Sequence, residues 1–216
     1  MALIGQVFQL YNERREFFLG LIVEHFILTV TAVFIITCIG LITGILMIRN
    51  AFLAKVILRL TSFLYTIPSI ALFGFLVAIT GIGYKSAIIA LVLYGILPII
   101  RNTYVGLSEI DEQIIESAIA MGSTSRQMLF RIRLPLALPI IFSGFRTMVI
   151  MTIALGAIAS FIGAGGLGDA IWRGITTNFP AMTIAGSLLI AVMAIVTDLI
   201  LELIEKRLRE RILGKV

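Results

Sequence analysis

Five long apolar stretches, parted by polar or glycine-bearing joins, organise this chain: about Phe26 to Ile48, Thr61 to Thr80, Gly83 to Ile100, Leu138 to Ile162 and Met182 to Ile204. A helix needs about 20 apolar residues to cross a hydrocarbon core, and each stretch approaches or exceeds that length. The pattern predicts five spanning helices within residues 21–204. One join stands apart. Residues 101–137 make a gap of roughly 37 residues where packed helices are usually joined by about 2 to 8, which marks this segment for docking or regulation. Before the first span, Glu13, Arg14, Arg15 and Glu16 precede Phe17, Phe18 and Leu19 without a cleavable-signal pattern, so residues 1–20 read as an interfacial segment. Residues 205–216 read as a basic tail.

Composition sets the solvent. Of 216 residues 60% are hydrophobic and 13% charged, with mean hydropathy +1.11, which predicts an all-α integral membrane protein and excludes a water-soluble core. Lys and Arg favour the cytoplasmic side of short loops. With the N-terminus outside and the C-terminus cytoplasmic, twelve basic residues from Arg49 to Lys215 fall inside; four (Arg14, Arg15, Lys85 and Arg173) fall outside, and Arg146 lies in a span. That orientation makes 101–137 cytoplasmic. The net charge of +5 is explained by insertion and by anionic lipid headgroups, so no nucleic-acid partner is implied.

Catalytic chemistry is sparse. One histidine and one cysteine, His25 and Cys38, make neither a metal cluster nor a disulfide. Cys38 reads as a small packing residue in the first span, and His25, beside Glu24, as an interface residue. Gly163, Gly165, Gly166 and Gly168 form part of G-A-G-G-L-G, which satisfies a dinucleotide-binding pattern. They follow a membrane span instead of a strand, and Leu188 stands where an acidic ribose ligand belongs. The glycines read instead as an outer-face turn needing positive φ and close backbone approach.

Within the long gap, Ser108 and Asp111 have capping-box spacing, and Ile110, Ile114, Ile115, Ala118 and Ile119 recur at helical intervals, predicting a short amphipathic helix that stops at Gly122. Thr124 and Gln127 suit the start of a second helix with Met128, Leu129 and Ile132, ended by Leu134 and Pro135. Two readings fit: a compact knob, or an amphipathic hairpin lying on the headgroups.

Glu116, Ser117, Ala118, Gly122, Ile132, Leu134 and Pro135 have the spacing of the E-A-A-x3-G-x9-I-x-L-P loop, and the segment resembles that of ABC importer permeases, with Ser117 in place of the first alanine. The resemblance implies a coupling helix seated on a cytoplasmic ATPase dimer. It further implies a second permease, identical or paralogous, and an external substrate-binding protein. No cofactor is expected on this chain, since ATP and Mg belong to the ATPase. The segments Thr66–Leu72, Leu97–Tyr104, Gly144–Thr147 and Phe161–Asp169 are similar to osmoprotectant-importer permeases, whose substrates include glycine betaine, carnitine and choline. Methionine-importer permeases share the five-span layout and glycine turn and come second. A bacterial or archaeal cytoplasmic membrane follows from the same resemblance.

The residues also speak without the family. Pro68 and Pro98 lie within predicted spans, and each removes a helical hydrogen bond, to the carbonyls of Leu64 and Tyr94. With Tyr65, Ser69 and Tyr94 they are candidates for lining a pathway; simple kinks are the other reading. Gly40 and Gly44 form G-x-x-x-G, a contact surface or an incidental pair. Arg146 and Asp198 fall at matching depths in the last two spans, either facing each other or snorkelling separately. A channel or carrier working without an ATPase would need an ion relay in the spans, where the charged residues are Arg146, Asp198 and Glu202, with Lys85 at the outer end of the third span. A membrane scaffold would leave the loop pattern unexplained.

Overall fold

Four helices in the computed structural model, which describes residues 2–214, are long and apolar enough to cross a membrane. In chain order the helices are α1 (Ala2–Glu13), α2 (Arg15–Met47), α3 (Ala51–Thr66), α4 (Ser69–Thr80), α5 (Tyr84–Ser108), α6 (Glu112–Ala120), α7 (Ser125–Gln127), α8 (Leu134–Ala159), α9 (Gly168–Thr176) and α10 (Pro180–Leu213). No strand occurs among the described residues. Lys215 of the expected basic tail lies outside them.

Helices α2, α5 and α8 pack together at the centre, where Leu28, Ile36, Leu91 and Met148 are fully buried. Lipid tails are as apolar as leucine, so helices in a bilayer associate through close van der Waals contact. Gly40 and Gly44 permit that contact: a Cβ at Gly40 would strike the Ile99 side chain, and one at Gly44 would lie 2.6 Å from Thr103 Cβ. The G-x-x-x-G pair is thus an α2–α5 contact surface. Helix α10 packs along α8, α9 and α1 and leaves Val192, Val196, Leu199 and Leu203 exposed, as a lipid-facing flank requires.

Three sequence expectations change. The stretch Thr61 to Thr80 is not one helix: α3 and α4 meet at 98°, with Pro68 immediately before α4. Proline disfavours helical geometry in the residue before it, and Ile67 is extended at ψ 128°. The segment 1–20 does not stand as a unit either. Its first part is α1, whose Val7 and Leu10 are buried with Ala181 and Ala185 of α10, while Tyr11 donates to the Ala185 carbonyl at 2.8 Å; from Arg15 onward it belongs to α2. Burial raises the Tyr11 phenol above its ordinary pKa. Finally, α5 runs to Ser108 and unbroken helical winding extends from Ser125 to Ile162, so the 101–137 loop shrinks to a short segment around α6.

Candidate functional site

Asp111, not Ser108, caps α6, accepting from the Gln113 amide at 2.9 Å, because Ser108 is still the last residue of α5. Ala118 is buried on the inner side of α6, and Glu116 and Ser117 are exposed on the outer. Gly122 has φ +79°, and Ser123 N–H reaches back to the Ala118 carbonyl at 3.0 Å, closing the helix end as a left-handed residue does. Thr124 and Gln127 form a reciprocal capping box, with Thr124 N donating to Gln127 Oε1 at 2.8 Å. The expected stop at Leu134 and Pro135 is absent. A π turn over Met128–Arg133, including Ile132, leads straight into α8; Pro135 sits in the first turn of that helix, where a missing N–H is tolerated. Residues 112–130 expose four large apolar side chains that the motif did not single out, Ile114 least and Ile119 at 61%, Met121 at 79% and Phe130 at 65% most.

At the α3–α4 break, Tyr65, Pro68, Ser69 and Tyr94 come together. Tyr94 donates its hydroxyl to the Ile67 carbonyl, the group just before Pro68, and its ring meets Tyr65 edge-on with centroids 5.9 Å apart. The Leu64 carbonyl, bereft of the Pro68 amide, accepts from Ile67 N–H at 3.2 Å instead. Tyr94 is buried; Tyr65 is partly exposed and donates to Met151 Sδ on α8 at 3.0 Å. Pro98 follows four residues after Tyr94 inside an unbroken α5, and its carbonyl accepts from Asn102 Nδ2 at 2.9 Å.

Arg146 of α8 meets three carboxylates of α10. Its Nε and Nη2 reach Asp198 at 2.6 and 2.9 Å, Nη2 reaches Glu202 at 2.9 Å and Nη1 reaches Glu205 at 3.2 Å. Glu202 and Glu205 follow Asp198 by four and seven residues, one face of a helix, so this spacing in the sequence could have identified all three partners. A cavity of about 390 Å³ beside them is lined by Ser143, Thr147 and Met151.

The opposite end of the bundle carries the glycine turn. Gly163, Gly165 and Gly166 have φ of +79°, +78° and +92°. A Cβ at Gly168 would strike the Ala157 carbonyl, so close approach, not φ, demands glycine there. Glu24 Oε2 accepts the Gly166 amide at 2.9 Å, and Ser160 Oγ donates to the Gly165 carbonyl at 2.7 Å. His25 is not an interface residue: it is fully buried between Gly156 and Gly166, with Nε2 3.0 Å from the Ile153 carbonyl. Cys38 is exposed, so it is not packed in the core. Asp169, at the start of α9, has its carboxyl pKa raised by burial and then by Glu24, with Arg173 pulling the other way.

The family model described as binding-protein-dependent transport system inner membrane component matches residues 17–210. The chain is similar to the glycine betaine/carnitine/choline transport system permease protein of Bacillus subtilis (strain 168), 38% identical over 209 residues, 96% of this chain and 91% of that protein. It is 41% identical over 165 residues, 76% of this chain, to the ergothioneine transport permease/ergothioneine binding protein of Helicobacter pylori (strain G27), but spans only 30% of that protein's length. Among solved structures, an inward-facing MetNI methionine ABC transporter matches with TM-score 0.75 and 26% identity over 86% of this chain and 93% of that one.

Proposed function

The chain belongs to the family of binding-protein-dependent transport system inner membrane components, and from that membership we propose that it is a permease of an ATP-driven importer for quaternary-amine osmoprotectants of the glycine betaine, carnitine and choline type. As a family member it is an inner-membrane transport subunit and not an enzyme; ATP hydrolysis falls to a separate ATPase. The near full-length similarity to a permease named for those three substrates carries the substrate class.

In this reading the N-terminus and the glycine turn lie outside, and the C-terminus and α6 lie in the cytoplasm. The excess of basic residues at the α6 end supports that orientation. The α6 knob is the coupling element, because an exposed trio of Ile119, Met121 and Phe130 needs an apolar groove to cover it, which an ATPase dimer would supply. Movement of the knob then passes directly to the membrane. The helical winding from Ser125 to Ile162 makes a rod of roughly 57 Å at 1.5 Å per residue, and that rod carries Arg146 and Met151. Two permeases, alike or paralogous, would enclose the pathway between them.

Substrate selection rests mainly with an external binding protein. A quaternary ammonium is held best by several aromatic faces. Tyr94 is buried and its hydroxyl is occupied, leaving Tyr65 as the one accessible ring of the pair, too little for a cage. An ATPase-independent carrier is disfavoured because Arg146 is already engaged by three carboxylates and leaves no unpaired cationic relay in α8. The likeness to a methionine transporter keeps methionine as the second reading of the substrate, behind the osmoprotectants.

Vesicles reconstituted with the permease, its ATPase and its binding protein should take up glycine betaine, carnitine or choline only with ATP inside. Uptake without the ATPase would overturn the importer reading. Uptake of methionine alone would leave the importer and replace its substrate.

A further inference from the structure

A cavity of about 510 Å³ opens between the end of α2, α6 and the π turn before α8. Its wall has two chemistries. Ile45, Ile48, Ile115, Ile119, Met128 and Leu129 are apolar, whereas Arg49, Arg133, Ser123 and Ser125 are polar, and no acidic residue lines it. Among the described residues neither arginine is within salt-bridge distance of a carboxylate, and Arg133 Nε is buried without a hydrogen-bond partner. A buried guanidinium nitrogen without an acceptor is costly, so an anion or water must serve it once the protein is in its membrane.

We propose that this cavity binds the phosphate of an anionic membrane phospholipid, held by Arg49 and Arg133, with an acyl chain along Ile45 and Ile48. The placement supports a lipid over a free anion. Arg49 lies two residues beyond the last residue of α2, and Arg133 closes the π turn that lines the same cavity, so both guanidiniums serve the end of the bundle that carries α6, where spans give way to headgroups. Guanidinium suits phosphate because its planar donors pair with two oxygens at once. The apolar half of the wall suits an acyl chain and would be wasted on inorganic phosphate. A lipid seated here would touch α2, α6 and the π turn together, fixing the knob against the membrane body. The proposal rests on the orientation given above, in which this end faces the anionic cytoplasmic leaflet.

The test is native mass spectrometry of the purified permease–ATPase complex titrated with phosphatidylglycerol or phosphatidylcholine. The wild type should retain phosphatidylglycerol preferentially, by about fivefold for each arginine engaged. R49Q/R133Q should lose the preference, and R126Q/R131Q, with the same change of charge outside this cavity, should keep it. Photoactivatable phosphatidylglycerol should label the unmutated chain on peptides covering 45–49 and 128–133, a readout that does not depend on the variants folding. A preference that survives in R49Q/R133Q, displacement of the lipid by inorganic phosphate at equal concentration, or labelling that vanishes when the ATPase binds would each overturn the site. The orientation has its own readout: labelling of a cysteine placed at position 49 by an impermeant reagent from outside intact cells would overturn that reading independently of lipid binding.

Discussion

Arg146 on α8 grips Asp198 on α10 through both Nε and Nη2, 52 residues apart in sequence and 2.6 and 2.9 Å apart in space. The pair is partly exposed, with side chains at 24% and 39%, so its value lies less in raw Coulomb energy than in locking two long helices in register. Glu202 and Glu205 make the contact asymmetric.

That asymmetry predicts the order of mutational effects. D198N leaves Arg146 two carboxylates, whereas R146Q leaves three carboxylates without a cation. An ionised residue without a partner inside a membrane helix is costly, and Asp198 and Glu202 lie within the last span. R146Q should therefore lower membrane-inserted yield and melting temperature clearly more than D198N, and R146D or D198R alone should do worse than the double swap. Equal yields for R146Q and D198N in a solubilised-membrane blot would remove the argument.

Gly122 gives a second prediction. A Cβ there meets nothing within 4 Å, so substitution is opposed by backbone conformation alone. A non-glycine residue in the left-handed region costs about 1–2 kcal/mol, less for Asn. G122L should leave membrane levels near normal and uncouple ATP hydrolysis from transport; G122N should retain most coupling. Full transport by G122L would show that the knob's shape is irrelevant.

The parts of this arrangement that sequence could convey were local ones. Thr124 and Gln127, Gly122 and the charged helix faces all follow from spacing within a few residues. The bend at Pro68 was harder, since hydropathy rates Thr61 to Thr80 as one stretch, and a proline in a span can kink a helix or end it. The burial of His25 depends on Gly156 and Gly166, over 130 residues away, which no local pattern conveys. The continuity through Pro135 was hidden for a different reason: a π turn has no sequence signal comparable to a cap, so the proline appeared to end a helix that in fact continues.

Asp169 supplies a pH prediction. Its folded-state pKa is raised, so the folded form binds the proton more tightly than the unfolded chain does. The associated stabilisation is present below the ordinary carboxylate pKa and is lost as pH rises through the folded value. D169N, which cannot ionise, should flatten the melting-temperature profile of the detergent-solubilised protein on the side above the ordinary carboxylate range and raise its neutral end. E24Q should shift the profile to lower pH by removing a neighbouring negative charge. A steeper profile in D169N would contradict the assignment.

The tyrosine pair separates rate from selectivity. Tyr94 holds the Ile67 carbonyl at the helix break, and a neutral hydrogen bond of this kind contributes about 0.5–1.5 kcal/mol. Y94F should loosen the junction of α3 and α4, lower thermal stability slightly and change the transport rate by a few fold at most. Tyr65 bonds a thioether sulfur, a weak acceptor, so Y65F should alter rate less while leaving the aromatic face that a quaternary ammonium could touch. Both variants should rank glycine betaine, carnitine and choline as the wild type does when supplied with the same binding protein. Removing the ring is the contrasting change: Y65A should slow all three substrates together if the ring serves only as a passing surface. A reordered ranking in Y65F would place selection in the membrane pathway and overturn the division of labour between permease and binding protein.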